Sequence, residues 1–221
     1  MRNREPGRPI ARGGAAGHSR RILAILGIAL APTTVSAQVS PEEVRGLGYS
    51  IGDPSAPVHV VEFADFGCSA CATFATDVMP KVMTAYVEKG RVHWQSVPFL
   101  LGGFRHASAA ARAGECAGRQ GKFHTMYERL FSEQRNWQRS RRPTDLFHEY
   151  ARAIGLERVS WDECYRENRQ RARTRDNTRS ARRLRVRGTP TFFINGTRIE
   201  GALPAEQFEA LLIRAEEAAS R

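Results

Sequence analysis

Cys68-Ser69-Ala70-Cys71 stands where an apolar strand turns into a helix, and no other feature narrows the fold of this chain as far. Ahead of it, Val58-His59-Val60-Val61-Glu62-Phe63-Ala64 reads as a buried strand and Asp65-Phe66-Gly67 as a short turn. Behind it, Phe74, Ala75, Val78, Val82, Met83 and Tyr86 recur at helical spacing across 70–89. A zinc site needs two more ligands at finger-like spacing, and haem attachment needs a His after the second Cys, where Ala72 stands. A disulfide closing so short a loop is easily reduced, so the pair reads as a redox dithiol rather than a staple. The helix dipole and its free N–H groups stabilise a thiolate at this position. Cys68 is therefore expected to be the exposed nucleophile, acidified mainly by the helix end. Cys71, one turn in and more buried, is expected to resolve the mixed disulfide, with Ser69 and Ala70 tuning the redox poise.

The rest of the chain supplies a frame for that turn. Residues 38–57 form a polar, irregular lead ending in Gly52-Asp53-Pro54-Ser55-Ala56-Pro57. Pro80 predicts a kink or break in the first helix, and Gly90 suits the position just past its end. Residues 91–97 alternate as a second strand, which makes a right-handed β-α-β unit with parallel strands. A helical block follows over about 104–185: an Ala-rich helix at 104–118, a second at 122–132, a third from Pro143 to Ile154, and one running from Trp161 through the Arg-rich stretch. Strands return at 191–195 and 198–200, joined by Asn195-Gly196, a strong hairpin signal. A final helix has Pro204 in its first turn and turns Phe208, Leu211 and Leu212 inward. Removing the helical block leaves βαβ–ββα. The fold class is therefore α/β, a thioredoxin fold over 58–221 with a helical insertion between its halves.

The first 37 residues read as a secretory signal peptide: an Arg-rich start, the apolar run 22–31, then Val35-Ser36-Ala37 as a cleavage site. The apolar run is too short to span a membrane, which takes about 20 residues. Ser19-Arg20-Arg21-Ile22-Leu23 also resembles a loose twin-arginine export signal. Export near Ala37 places the mature chain in an oxidising compartment, expected to be the periplasm. The leader carries six Arg and one Glu, so it accounts for +5 of the net charge of +11. The remainder is +6, and the positive charge is concentrated in 166–187, with ten Arg against Glu167 and Asp176. With no aromatics interleaved, this run reads as a solvated helix face with a mild preference for acidic partners or anionic membrane surface. Nucleic acid is not an expected partner.

Two further features bear on the dithiol. Glu62 shares a strand face with Val58, Val60 and Ala64, so a carboxylate points where apolar groups point. Its pKa should be raised, and it could pass a proton to or from Cys71. Gly188-Thr189-Pro190 precedes the apolar strand Thr191-Phe192-Phe193, and X-Pro is where cis bonds occur. A cis bond there would leave the Thr189 backbone free to pair with an extended substrate. Cys116 and Cys164 both fall in the helical block. An even pair in an oxidising compartment suggests a structural disulfide; two buried thiols, or a shuttle to the main pair, are the alternatives.

The strings Glu62-Phe63-Ala64-Asp65-Phe66-Gly67-Cys68-x-x-Cys71, Ala117-Gly118-Arg119-Gln120-Gly121-Lys122-Phe123 and Gly188-Thr189-Pro190-Thr191-Phe192-Phe193-Ile194-Asn195-Gly196 resemble the DsbA-like thioredoxin-fold family of secreted disulfide oxidoreductases. The resemblance runs from about Gly52 to the C-terminus. It implies a redox-active Cys68–Cys71 pair, a cis proline at Pro190 and a buried acid at Glu62. Ser69-Ala70 stands where many members have Pro followed by His or Tyr, which predicts a Cys68 less acidic than in the most oxidising relatives. The implied activity is disulfide formation in unfolded or partly folded exported proteins. A membrane redox partner would recharge the pair, and neither cofactor nor metal would be needed. A reductase or isomerase, or a chaperone-like peptide-binding module, are the competing readings. The lead 38–57 is too short for a dimerisation module, so a monomer is expected.

Overall fold

The computed structural model describes residues 38–167 and 171–221. The leader and its cleavage site lie outside these residues. Five strands form one mixed sheet: β1 (Tyr49–Ile51), β2 (Val58–Ala64), β3 (Val92–Pro98), β4 (Thr191–Ile194) and β5 (Thr197–Glu200), in the spatial order β1-β3-β2-β4-β5. β2 and β3 are parallel, with Glu62 opposite Ser96; β4 runs antiparallel to β2, with Glu62 opposite Phe192. β2 is central and covered on both faces, which is why its sequence is almost continuously apolar. Val58, Val60 and Ala64 pack into one core with Phe74, Trp94, Phe192 and Phe208, while Val61 and Phe63 pack on the other side with Val97, Phe193 and Leu184. Phe74, Phe192 and Phe208 meet with ring centroids 4.5–5.0 Å apart and join α2 (Ser69–Asp77) and α10 (Ala205–Ala219) to the sheet.

The first helix breaks at Val78, as Pro80 requires. α2 ends at Asp77, α3 (Met79–Val82) carries Pro80 in its first turn, and a π-helical turn over Met83–Val87 follows. At the hairpin tip Asn195 and Gly196 take φ of 44° and 84°, the left-handed conformation that a tight two-residue turn demands. Between β3 and β4 lie α4 (Ala107–Arg119), α5 (Phe123–Ser132), α6 (Gln134–Arg139), α7 (Pro143–Ala153), α8 (Arg158–Arg166) and α9 (Arg171–Arg183).

The structure corrects four expectations. The lead 38–57 is not wholly irregular: it holds α1 (Pro41–Val44) and the edge strand β1, antiparallel to β3. Three residues are too few to show a period. β1 is fixed by tertiary contact: Tyr49 lies against Gly118, where a Cβ would sit 2.2 Å from its ring, and stacks on Phe123 at 4.1 Å. The helix from Trp161 does not continue through the Arg-rich stretch, because Glu167 at its end is extended (φ −68°, ψ 140°). α6 was not expected at all. Pro204 is the N-cap of α10 rather than a member of its first turn.

Candidate functional site

The turn after β2 is held from three sides. Cys68 N–H donates to the Asp65 carbonyl at 2.9 Å. The buried Asp65 carboxylate accepts from Gly67 N–H at 2.9 Å and from Leu101 N–H at 2.8 Å. From α6, Gln134 Nε2 donates to the carbonyls of Phe66 (2.7 Å) and Cys68 (2.9 Å), and Gln138 Nε2 to that of Gly67 (2.8 Å). Gly67 has no room for a side chain, since a Cβ would lie 2.2 Å from Phe104 Cβ. Three consecutive carbonyls thus face two amides one helical turn apart. The sequence reading missed these two glutamines. Their i, i+4 spacing was visible, but nothing in it said what they would face.

Cys68 is the N-cap of α2, and Cys71 lies one turn inside it. Cys71 is completely buried; Cys68 is 6% exposed and so less open than expected. Its roof is the loop before β4, where the Thr189-Pro190 peptide bond is cis. Cys68 Sγ as a thiol donates to the Thr189 carbonyl at 3.3 Å. As a thiolate it accepts instead, and its pKa falls to about 5. The largest cause is the hydrogen bond from the Cys71 thiol. The Thr189 hydroxyl follows, then the N–H groups of Cys71 and Ala70, all against the opposing effect of burial. The Thr189 hydroxyl is buried and has no hydrogen-bond partner among the described residues, so it is free to donate to a thiolate. The helix end therefore contributes less than expected and the two side chains more. A Ser-Ala pair does not prevent strong acidification, because neither of these donors belongs to the middle dipeptide. Burial raises the Cys71 pKa well above its ordinary value, and the charges of Cys68 and Glu62 add to it.

Glu62 is fully buried beneath the pair. Tyr127, from α5, donates to its Oε1 at 2.7 Å, and Ser96, its register partner on β3, donates to Oε2 at 3.2 Å. Trp94 Nε1 in turn donates to Ser96 Oγ at 3.1 Å. Burial lifts the Glu62 pKa to about 7, and these hydrogen bonds only partly offset the rise. The carboxyl thus sits where it can hold or release a proton near neutral pH. Cys116 and Cys164 are joined as a disulfide between α4 and α8, with Cα atoms 5.7 Å apart. Ser69 is exposed and Ala70 partly buried on the first turn of α2. Among the described residues no group of three or more His, Cys, Asp or Glu is placed to hold a metal ion, and no helix is long and apolar enough to cross a membrane.

A family model described as Thioredoxin matches residues 46–214. The chain is 37% identical over 169 residues to a Na(+)/H(+) antiporter NhaA 1 of Mycobacterium sp. (strain KMS), a match that covers 76% of this chain and 26% of that protein. It is 31% identical over 153 residues to a probable disulfide bond formation protein D of Bacillus anthracis, covering 66% of this chain and 69% of that one. The chain thus spans about a quarter of the length of the antiporter relatives and two thirds of the other. Among solved structures, BdbD from Bacillus subtilis in its oxidised form superposes with a TM-score of 0.71 at 22% identity, covering 83% of this chain and 98% of that chain. Wolbachia pipientis alpha-DsbA1 gives 0.70 at 20%, covering 80% and 96%. The structural likeness extends through the helical insertion as well as the sheet, and the family match reaches from β1 into α10. The chain therefore belongs to the thioredoxin family, among its DsbA-like members.

Proposed function

We propose that this chain is an exported thiol:disulfide oxidoreductase that introduces disulfides into unfolded or partly folded proteins in the periplasm. The observation that carries this reading is the division of labour between the two sulfurs. Cys68 is stabilised as a thiolate near pKa 5, while Cys71, one turn away, is held as a thiol. A pair of this kind is stabilised in its reduced form, which makes its disulfide a good electron acceptor.

The reaction starts with the Cys68–Cys71 disulfide. A substrate thiolate attacks Cys68 Sγ, a substrate–Cys68 bond forms, and the Cys68–Cys71 bond breaks. Cys71 leaves as a thiolate in an apolar site that disfavours its charge, so it takes up a proton, for which Glu62 is the nearby source. A second substrate thiolate then attacks the substrate sulfur of the mixed disulfide, and Cys68 departs as a stable thiolate. The substrate has lost two electrons and the pair has gained them. The Thr189 carbonyl and N–H make no main-chain hydrogen bond among the described residues, which leaves them open to an extended substrate backbone beside Cys68. A membrane redox partner would re-oxidise the pair.

The reduction potential of the pair tests this reading. A value well above that of thioredoxin, at about −270 mV, is expected. A value at or below it would assign the chain to the reductases instead. Peptide binding with no thiol exchange would leave the chaperone-like reading.

A further inference from the structure

Beside the Cys68 turn lies a groove of about 740 Å³, within the range of ligand sites. Leu100 and Leu101 form its apolar floor, and Arg112, Arg175, Arg179 and Arg182 form its walls. The Arg-rich segment of the sequence is what builds it. α9 docks through Thr174, Asn177 and Ala181, all buried, with Asn177 Nδ2 donating to the Pro98 carbonyl at 2.8 Å. That docking turns Arg175, Arg179 and Arg182 outward on a shared face. Arg112, on α4, is pinned from the other side: it donates to the Tyr165 carbonyl at 3.2 Å and its guanidinium lies 5.2 Å from the centre of the Tyr165 ring. Of these four, Arg179 pairs with the exposed Asp176 of its own helix at 3.1 Å, while the buried carboxyls of Glu115 and Asp65 are hydrogen-bonded to Thr174 and to Leu101 N–H. Among the described residues, Arg175 and Arg182 make no ion pair.

The floor and one wall of the groove connect to the surroundings of Cys68. The floor hangs from the Cys68 turn through Leu101 N–H and the Asp65 carboxylate. α9 runs directly on to Gly188 and Thr189, the roof over Cys68 Sγ. A polypeptide whose cysteine has reached Cys68 has this groove beside it.

We propose that the groove binds an acidic, extended segment of the substrate polypeptide next to its reacting cysteine. This inference rests on the oxidoreductase reading and names the substrate class within it. The spacing supports a peptide. Arg175, Arg179 and Arg182 are four and three residues apart, so they recur at about 6 and 4.5 Å along the helix. Acidic side chains at alternate positions of an extended strand recur at about 6.7 Å, close enough for flexible arginines to follow. The groove is concave and the chain exposes one large apolar residue there, Leu101. That geometry takes a strand between its walls, whereas a flat membrane surface would not reach the floor.

The test uses two pairs of synthetic peptides, one pair without cysteine and one with two thiols, each pair differing only in Glu or Gln at alternate positions. In fluorescence anisotropy, the cysteine-free Glu peptide should bind about tenfold more tightly than its Gln counterpart at low salt, the order expected of three partly exposed charge pairs. The preference should vanish at about 1 M salt, where screening acts within about 3 Å. It should also vanish in Arg175→Gln/Arg179→Gln/Arg182→Gln and persist in the corresponding triple Lys variant. The oxidised protein should oxidise the Glu dithiol peptide faster than the Gln peptide by a similar ratio, and the ratio should fall to about one in the triple Gln variant. Equal binding of the two cysteine-free peptides, or a preference that survives the triple Gln change, overturns the proposal. So does Arg-dependent capture of phosphatidylglycerol vesicles without any peptide preference. Oxidation of neither dithiol peptide overturns the oxidoreductase reading instead, and the anisotropy measurement still decides the groove.

Discussion

The Cys68 thiolate links protein stability to pH in a way that can be measured on the reduced and oxidised forms side by side. Its folded pKa is about 5 against an ordinary 9.0, a depression. Below pH 5 the sulfur is protonated both folded and unfolded, and contributes nothing. Between pH 5 and 9 the folded chain holds a thiolate while the unfolded chain holds a thiol. The unfolded state then binds one more proton, so the stability of the reduced protein rises with pH, and this gain is lost as pH falls through 5. At about 1.4 kcal/mol per pH unit the ceiling at pH 7 is ~2.7 kcal/mol. Cys68 lies at the surface end of α2, and solvent screening reduces this to about 1–2 kcal/mol. The disulfide form has no thiolate, so subtracting its stability removes remote titrations such as that of Glu115, whose pKa burial lifts to about 7. Urea unfolding of both forms from pH 4.5 to 7.5, extrapolated to water, gives the difference directly. The reduced form should gain on the oxidised form by that amount across the window. A difference that stays flat, or an ultraviolet thiolate signal titrating at the ordinary 9.0, would show that the hydrogen bonds from Cys71 and Thr189 do not hold the charge.

Three other perturbations probe the surroundings of the pair. Glu62 has a raised pKa of about 7 against 4.5, so the folded chain retains its proton where the unfolded chain loses it. That contribution falls as pH rises from 4.5 to 7. Glu62→Gln should therefore stabilise the protein by about 1–3 kcal/mol at pH 8 and little at pH 4, and should remove any step near pH 7 from the exchange rate; equal effects at both pH values would refute the buried charge. Gln134→Leu strips donors from the Phe66 and Cys68 carbonyls and should cost about 1–3 kcal/mol in urea unfolding, together with a shift in the Cys68 titration. Cys116→Ala/Cys164→Ala opens a loop of 48 residues and should lose about 4 kcal/mol of stability while thiol exchange at Cys68 continues, which stopped-flow thiol assays of the double variant would check.

Much of the site was legible because its signals are local. Cys68 and Cys71 sit one turn apart whatever else the chain does. Alternation along 58–64 put Glu62 on the same face as Val58, Val60 and Ala64, and the structure keeps it there, fully buried. Thr189-Pro190 before an apolar run carried its own backbone signal, and the bond is cis. What went unread depends on contacts between distant segments. β1 exists because Tyr49 packs where Gly118 leaves space. α6 matters because Gln134 and Gln138 meet carbonyls some 70 residues earlier in the chain.

The sequence alone determined the β-α-β and β-β-α halves with a helical block between them, the place of the dithiol at a helix start and the burial of one acid beneath it. These follow from period and propensity, which act over a few residues. Only the tertiary structure decided how acidic Cys68 is: besides the Cys71 thiol on its own helix, it brings Thr189, 121 residues away in the chain, over the same sulfur. Only it decided, too, that an Arg-rich stretch readable as an ordinary solvated helix face would line a groove tied to the Cys68 turn through Leu101 and Asp65, since a charge run has no direction until a neighbouring helix and loop close around it.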